Sequence, residues 1–137
     1  MTFLGIDIGT SGVKALLIDA AGKALGEASA PAVEPVRPHP GWSEQNPTDW
    51  WTATLGAVDK LKASHPKELA AVKGIGLSGH MHGATLLGEN DAVLRPCILW
   101  NDGRSAAECG EMEAALPNLR QLAGNIAMPG FTAPKIA

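Results

Sequence analysis

The residues with the clearest chemical potential in this chain lie within its first fourteen positions. Residues 7–14 read Asp-Ile-Gly-Thr-Ser-Gly-Val-Lys, and apolar runs lead into and out of them. Glycines and hydroxyl residues in a turn can aim backbone N–H groups and hydroxyls at an anion. Asp7, at the end of a predicted strand, can hold Mg²⁺ through water beside phosphates, and Lys14 adds a positive charge. These are the parts of a nucleotide-phosphate site, although an ordinary hairpin turn has a similar composition.

The octet is not a P-loop, because no Gly-Lys-Thr follows it and the turn is predicted to open into a strand instead of a helix. It resembles instead the first phosphate motif of the ATPase superfamily that includes actin, the sugar kinases and the heat-shock chaperones. This resemblance favours the phosphate site over the hairpin turn. It implies that Asp7 organises Mg²⁺ and is important for activity, and that the phosphate-binding residues are Gly9, Thr10, Ser11 and Lys14.

A second group of polar residues follows a later apolar run, where residues 79–85 read Gly-His-Met-His-Gly-Ala-Thr. Ligands bind at such strand ends in open α/β sheets. His80 and His82 are two apart, so on a strand end they are predicted to face the same side, as a metal pair would. A metal site needs at least one further ligand, and the sequence offers no obvious candidate. A sugar-hydroxyl site fits better because imidazole both donates and accepts hydrogen bonds; a loop with one surface and one core histidine is the alternative.

A third group, residues 100–104, reads Trp-Asn-Asp-Gly-Arg directly after a predicted strand. Trp100 could stack on the apolar face of a sugar ring while Asn101 and Asp102 fix its hydroxyls. Alternatively, Trp100 is a core residue, Asn101 or Asp102 caps the next helix, and Arg104 is a solvated residue of its first turn. Capping and ligand contact can coexist, so both roles stay open for Asp102.

Short strands are predicted on both sides of the phosphate turn, at about residues 2–8 and 13–19, and a third at about 23–30. Because short turns join them, the three strands should be antiparallel. The connector that follows, residues 31–47, holds five of the ten prolines, which excludes a helix or a central strand there.

The first helix is predicted to begin at Asn46-Pro47, as an N-cap followed by proline at the first helical position, and to end at about Ala63. The residues spaced to form its apolar stripe are Trp50, Leu55, Val58 and Leu61. The tryptophans Trp42, Trp50 and Trp51 are expected to serve packing around the connector and this helix.

The remaining elements are predicted by their apolar runs and turn residues. They are a helical turn at 66–71, a buried strand at 72–77, a hairpin of 84–87 with 92–94, a strand at 97–100, a helix at about 104–116, and the start of a helix at 132–137. This order predicts an α/β fold, a ribonuclease-H-like mixed sheet with flanking helices.

Composition excludes several classes of protein. The chain has 137 residues, 45% of them hydrophobic, and a formal net charge of −3, so nothing indicates a nucleic-acid or membrane surface. No apolar stretch approaches the length of a membrane span, and no signal peptide is expected because Asp7 interrupts the first apolar run. Cys97 and Cys109 fit no metal spacing, and reduced thiols in a cytoplasmic protein are expected.

Five segments together resemble one family. These segments are residues 6–14, residues 41–47 with Trp50-Trp51, residues 79–85, residues 100–104, and residues 128–135 (Met-Pro-Gly-Phe-Thr-Ala-Pro-Lys). In this order they resemble the bacterial xylulokinases of the FGGY family of carbohydrate kinases, over essentially the whole chain. The phosphate motif is shared across the superfamily, whereas the later motifs are more specific to xylulokinases.

The resemblance implies an actin-like ATPase fold and an ATP- and Mg²⁺-dependent transfer of phosphate to D-xylulose, giving D-xylulose 5-phosphate. Thr10, Ser11 and Lys14 would line the path of the γ-phosphate. The substrate-binding residues that it implies are Met81 and His82, with Trp100, Asn101 and Asp102 in the pocket wall. A homodimer of the full-length enzyme is a further possibility.

The chain departs from the family in length. Family members are several times longer, with two actin-like domains, and neither their catalytic aspartate nor their adenosine pocket has a counterpart here. Residues 1–137 are therefore expected to be the N-terminal part of an incomplete first domain, without turnover on their own. The alternatives are another ketopentose or polyol kinase, a non-catalytic sugar- or phosphate-binding fragment, and a segment of an actin-like or chaperone-type ATPase.

Overall fold

The computed structural model describes residues 1–137, which divide into two compact units. Residues 1–34 and 48–80 form the first unit, and residues 35–47 and 81–137 form the second. The strands are β1 (Thr2–Ile8), β2 (Gly12–Asp19), β3 (Ala24–Pro31), β4 (Glu44–Gln45), β5 (Val72–Gly79) and β6 (Cys97–Ile98). The helices are α1 (Pro47–Ser64), α2 (Pro66–Ala70), α3 (Ala106–Ala115) and α4 (Leu119–Ala123), with 3₁₀ turns at Glu89–Asp91 and Ala133–Lys135. None of these helices has both the length and the apolar character that crossing a membrane requires.

The first unit is built on a four-stranded mixed sheet with the strand order β3-β2-β1-β5. The pairs β1–β2 and β2–β3 are antiparallel, as their short connections predict, and β5 lies parallel to β1. The predicted mixed sheet is confirmed, and the predicted bounds of its first three strands are correct to within one residue.

The core of the first unit lies between this sheet and α1. Strand residues alternate between the two faces, so β2 directs Val13, Ala15 and Leu17 into the core. From α1, the buried core residues are Ala53, Ala57 and Leu61. The predicted stripe is wrong at Leu55, which is 46% exposed. Alanines face the sheet instead, and small side chains let the helix lie close to it.

Strand β5 is an edge strand, and its predicted burial is wrong. Ile75 is 63% exposed and Leu77 is 76% exposed. The strand pairs on one side only, with β1, and glycines at 74 and 76 alternate with its apolar residues. An apolar run predicts a strand, but it does not tell an edge strand from a central one.

The second unit holds a small antiparallel ladder, in which β4 pairs with β6. Bridges from Val36 to Glu44 and from Ala84 to Ile98 extend this ladder on both sides. Cys97, Ile98 and Leu99 are at most 4% exposed and form its apolar centre. Next to this centre, the polar side chains of Ser43 and Asp102 are buried as well.

Three predicted elements of the second unit are shorter in the structure. The hairpin of 84–87 with 92–94 is reduced to one bridge, between Leu87 and Val93. The strand at 97–100 ends at Ile98, and the helix at 104–116 spans Ala106–Ala115. A turn between β6 and α3, in which the Asp102 N–H donates to the Leu99 carbonyl over 3.1 Å, occupies the residues between them.

Gly79 ends β5 in a conformation that favours glycine, with φ +146°. A Cβ at this position would lie 2.5 Å from the Ile8 carbonyl oxygen. We therefore expect Gly79→Ala to reduce the free energy of unfolding by about 2 kcal/mol, measured by urea denaturation. Gly110→Ala is the matched control, since a Cβ there meets nothing within 4 Å and alanine favours the interior of α3. Equal stability of the two variants would contradict this account of Gly79.

Candidate functional site

The phosphate turn joins β1 to β2 and is tied to the end of β3. Within the turn, the Gly9 N–H donates to the Gly12 carbonyl over 3.0 Å. A Cβ at Gly12 would lie 2.8 Å from the Ala30 carbonyl oxygen, so only glycine allows this close approach of β3. The Ala32 N–H donates to the Ser11 carbonyl over 3.2 Å. The backbone of the turn is thus fixed, while the Ser11 side chain is exposed and Thr10 is half-buried.

Asp7 lies on the sheet face that turns away from the core. It pairs in register with Lys14 of β2 and with Ser78 of β5, and opposite residues share one face of a sheet. Asp7, Lys14 and Ser78 line a cavity of about 430 Å³, whose other walls include glycines at 5 and 76. The lack of side chains at these glycines leaves room in front of the carboxylate.

Lys14 does not lie alone on this face. Its Nζ contacts Glu27 Oε2 at 2.8 Å, and both side chains are more than half exposed. Such an exposed pair is worth at most about 1 kcal/mol, so a phosphate could replace the glutamate at little cost. The assignment of Lys14 to phosphate binding stays a prediction.

The chain has no cluster of three or more His, Cys, Asp or Glu side chains that could hold a metal ion. Mg²⁺ beside phosphates usually keeps several waters and takes only one or two carboxylates. Asp7, an exposed carboxylate next to an open cavity, fits this mode of binding.

His80 lies near Asp7, whereas the sequence analysis considered it only as a partner of His82 in a metal or sugar-hydroxyl site. Its ring packs against Trp50 with centroids 4.8 Å apart, and its Nε2 is buried without a hydrogen-bond partner. Burial lowers the pKa of His80, and the nearby Asp7 charge only partly offsets this, so the ring is neutral near pH 7. Two histidines so close in sequence to the end of β5 were the only available signal.

The two histidines do not continue one strand, as the metal-pair hypothesis required. Strand β5 ends at Gly79, and His82 has φ +60°. The His82 ring contacts Phe131 in the second unit, with centroids 4.6 Å apart, whereas the His80 ring contacts Trp50 in the first. His82 is exposed, and its neighbour Met81 is 57% exposed.

Trp100 and Asn101 are exposed, so the core role considered for Trp100 is wrong. Trp100 exposes 48% of its surface, and Asn101 lines an open cavity of about 460 Å³ together with Trp42 and Ser43. Neither Asn101 nor Asp102 caps α3, whose N-cap is Ser105. An exposed tryptophan beside an exposed amide is a combination suited to a sugar ring.

Asp102 is 2% exposed, and both of its carboxylate oxygens are occupied. Oδ1 accepts hydrogen bonds from the Arg104 backbone N–H and from Nε at 2.9 Å each. Oδ2 accepts from the Ser43 N–H at 2.6 Å and from Arg104 Nη2 at 2.7 Å. Burial raises the pKa of the Asp102 carboxyl, but these hydrogen bonds and the Arg104 charge outweigh it and hold the pKa below its usual value. In this structure the side chain therefore orders the turn that carries Trp100 and Asn101.

Arg104 is largely buried, so the prediction that it is a solvated residue of the first helical turn is wrong. Its side chain is 12% exposed and bridges Asp102 to Glu44, with Nη1 2.7 Å from Glu44 Oε1. The Trp42 ring lies 3.6 Å from the guanidinium carbon, a cation–π contact. Trp42 thus serves packing, as predicted, whereas Trp51 is 63% exposed.

The phosphate turn belongs to the first unit, and Met81, His82, Trp100, Asn101 and Asp102 belong to the second. The loop at 128–135 contacts two of the last five, Trp100 and His82. Gly130 lies so close to Trp100 that a Cβ there would be 2.6 Å from the Trp100 carbonyl oxygen. Lys135 Nζ donates to the His82 carbonyl over 2.7 Å.

Comparisons with known proteins agree with one another. Residues 2–137 match the model of the N-terminal domain of the FGGY family of carbohydrate kinases. The chain is 51% identical over 134 residues to a xylulose kinase of Escherichia coli K12, covering 98% of this chain and 27% of that protein. The crystal structure of a xyloylose kinase from Brucella ovis is 57% identical, with a TM-score of 0.95, over 99% of this chain and 28% of that one. The crystal structure of a xylulose kinase from Rhodospirillum rubrum is 33% identical, with a TM-score of 0.78, over 85% of this chain and 24% of that one.

The chain thus spans about 27% of the length of the curated relatives it matches. The solved structures with which it shares its fold are carbohydrate kinases, which confirms the predicted ribonuclease-H-like, actin-like fold class. This chain belongs to the FGGY family of carbohydrate kinases.

Proposed function

We propose that this chain is the N-terminal part, residues 1–137, of the first domain of an ATP-dependent kinase that converts D-xylulose to D-xylulose 5-phosphate. The full-length kinase below means a protein of the relatives' length that begins with this chain. The observation that carries the proposal is the exposed group of Met81, His82 and Trp100. The loop at 128–135 contacts His82 and Trp100 of this group. The chain that carries the group is 51% identical to a xylulose kinase.

The first unit would handle the phosphates. Asp7 would hold Mg²⁺ through water, and Gly9, Thr10, Ser11 and Lys14 would line the path of the γ-phosphate of ATP. Bound Mg²⁺ would neutralise charge on the phosphates, which is a large part of catalysis in phosphoryl transfer. The fixed turn between β1 and β2 would keep the carboxylate and the hydroxyls in place before the nucleotide arrives.

The second unit would hold the sugar. The exposed His82 ring can donate to and accept from hydroxyl groups, and the exposed Trp100 can cover an apolar face of the substrate. Met81 adds apolar contact, and Asn101 offers a further donor and acceptor. Asp102 would contribute to the pocket wall through the turn that it orders.

We expect His82→Ala to raise the KM for D-xylulose about tenfold in the full-length kinase, because one hydrogen bond to a sugar is worth about 1.4 kcal/mol. The measurement is ADP release at varied sugar concentration. His65→Ala is the control, since this histidine belongs to the first unit, where its ring contacts the Ser64 hydroxyl. An unchanged KM in the His82 variant would refute the sugar assignment.

A panel of ketopentoses and polyols in the same assay separates D-xylulose from related substrates. A higher kcat/KM for another sugar would replace D-xylulose by that sugar and leave the kinase assignment intact.

We further propose a cytoplasmic location, supported by two free cysteines, and a homodimer of the full-length kinase. The isolated chain is expected to show no turnover.

A further inference from the structure

The loop of residues 128–135, Met-Pro-Gly-Phe-Thr-Ala-Pro-Lys, contacts the proposed sugar site, but no side chain of the loop has yet been given a role. The first half of the loop is tied to α3's N-cap and closed by a turn. The Ser105 hydroxyl donates to the Pro129 carbonyl over 3.2 Å, and the Phe131 N–H donates to the Met128 carbonyl over 2.9 Å. A loop fixed in this way can hold other residues in place.

Lys135 joins the loop to His82. Its ammonium donates to the His82 carbonyl over 2.7 Å and to the Gly130 carbonyl over 2.6 Å. Partial burial lowers the pKa of the Lys135 ammonium, and the nearby Cys97 and Asp102 partly offset this. Hydrogen bonds from a charged donor are about twice as strong as neutral ones.

His82 needs such support because its backbone has φ +60°, in the left-handed region. This conformation costs a residue other than glycine about 1–3 kcal/mol and persists only where its surroundings determine it. Phe131 supplies the second constraint, since its ring lies 4.6 Å from the His82 ring at an angle of 46°. Lys135 thus holds the backbone of His82, and Phe131 of the same loop holds its ring.

We propose that Lys135 and Phe131 are positioning residues for sugar recognition, with Lys135 fixing the left-handed backbone of His82 and Phe131 fixing the direction of its ring. Neither residue needs to contact the sugar. The inference rests on the proposed function, because it gives His82 its orientation toward the substrate.

The test is Lys135→Met in the full-length kinase, a change that keeps most of the apolar stem of the side chain and removes its donors. We expect the KM for D-xylulose to rise about tenfold with kcat within about twofold of the wild type, because the lost sugar contact stabilises the bound substrate and the transition state equally. Lys135→Arg should recover part of the affinity. In the His82→Ala background the same substitution should add less than about twofold, since its target is gone. Lys62→Met, at an exposed lysine of α1, is the control.

A lower kcat with unchanged KM, or an additive effect in the His82→Ala background, would overturn the inference. The geometry also has a readout without activity, namely the NMR resonances of the His82 ring. Phe131→Leu should move them by removing the ring current, and Lys135→Met should move them by releasing the backbone; unmoved resonances contradict the inference. A wild-type enzyme that does not phosphorylate D-xylulose would refute the proposed function. A Lys135 variant with the wild-type KM and unchanged His82 resonances would refute only the positioning role.

Discussion

Replacement of Asp7 by asparagine should lower kcat of the full-length kinase about a thousandfold and leave the folded structure intact. Asp7 is exposed on the sheet face and lines the cavity beside the phosphate turn, so its loss disturbs no packing. Losing the carboxylate that orients Mg²⁺ removes several kcal/mol of charge stabilisation in the transition state, and each 1.36 kcal/mol is a factor of ten in rate. The measurement is the initial rate at saturating ATP and D-xylulose, with circular dichroism as the check on folding.

Asp59→Asn is the matched control, because Asp59 is an exposed carboxylate on α1 in the same unit. Its kcat should stay within about twofold of the wild type. Raising the Mg²⁺ concentration should restore part of the activity of the Asp7 variant if the residue acts through the metal. A kcat for Asp7→Asn within tenfold of the wild type would contradict the role of this carboxylate.

Asp102→Ala should have the largest effect on stability, a loss of about 3–5 kcal/mol in the free energy of unfolding. The carboxylate is 2% exposed and accepts four hydrogen bonds, and its removal leaves the Ser43 N–H and three N–H donors of Arg104 without this partner. The measurement is urea denaturation at pH 7. Glu27→Gln is the control, because its exposed pair with Lys14 is worth less than about 1 kcal/mol. Equal losses in the two variants would contradict the structural role of Asp102.

The same carboxyl gives stability a defined dependence on pH. Its pKa is lower in the folded chain than in the unfolded one, so its contribution is complete above the unfolded value of about 4. The contribution is lost as the pH falls through the folded pKa. The stability difference between the wild type and Asp102→Ala should therefore shrink on acidification below about pH 4 and stay constant between pH 6 and 8.

The sheet of the first unit could be predicted because its signals are local. Residues 2–8 and 13–19 are apolar runs joined by a tight turn, and such segments can pair in only one simple way. The side of α1 that faces the sheet was predicted in part: Leu61 is buried and Val58 packs against the core, but Leu55 is exposed. The alanines at 53 and 57, which pack on the sheet, were not predicted because alanine occurs on any side of a helix. The exposure of β5 could not be predicted from the sequence either, since it depends on which strands pair with β5.

In the candidate site, too, local groupings could be predicted from the sequence and long-range contacts could not. Residues 7–14 lie together because one turn holds them, and their grouping was visible in the sequence. The environment of Asp102 was not, because its partner Ser43 is 59 residues away along the chain. The support of His82 by Lys135 spans 53 residues. Contacts over such separations follow from tertiary packing, which neither composition nor spacing specifies.

We propose that this chain is part of a D-xylulose kinase, and a single assay of sugar-dependent ADP release can confirm or refute this activity. The full-length kinase is incubated with ATP, Mg²⁺ and either D-xylulose or no sugar, and the release of ADP and the sugar product are measured. We expect ADP release that depends on D-xylulose, with D-xylulose 5-phosphate formed in equal amount. ADP release unaffected by any ketopentose or polyol would contradict the claim.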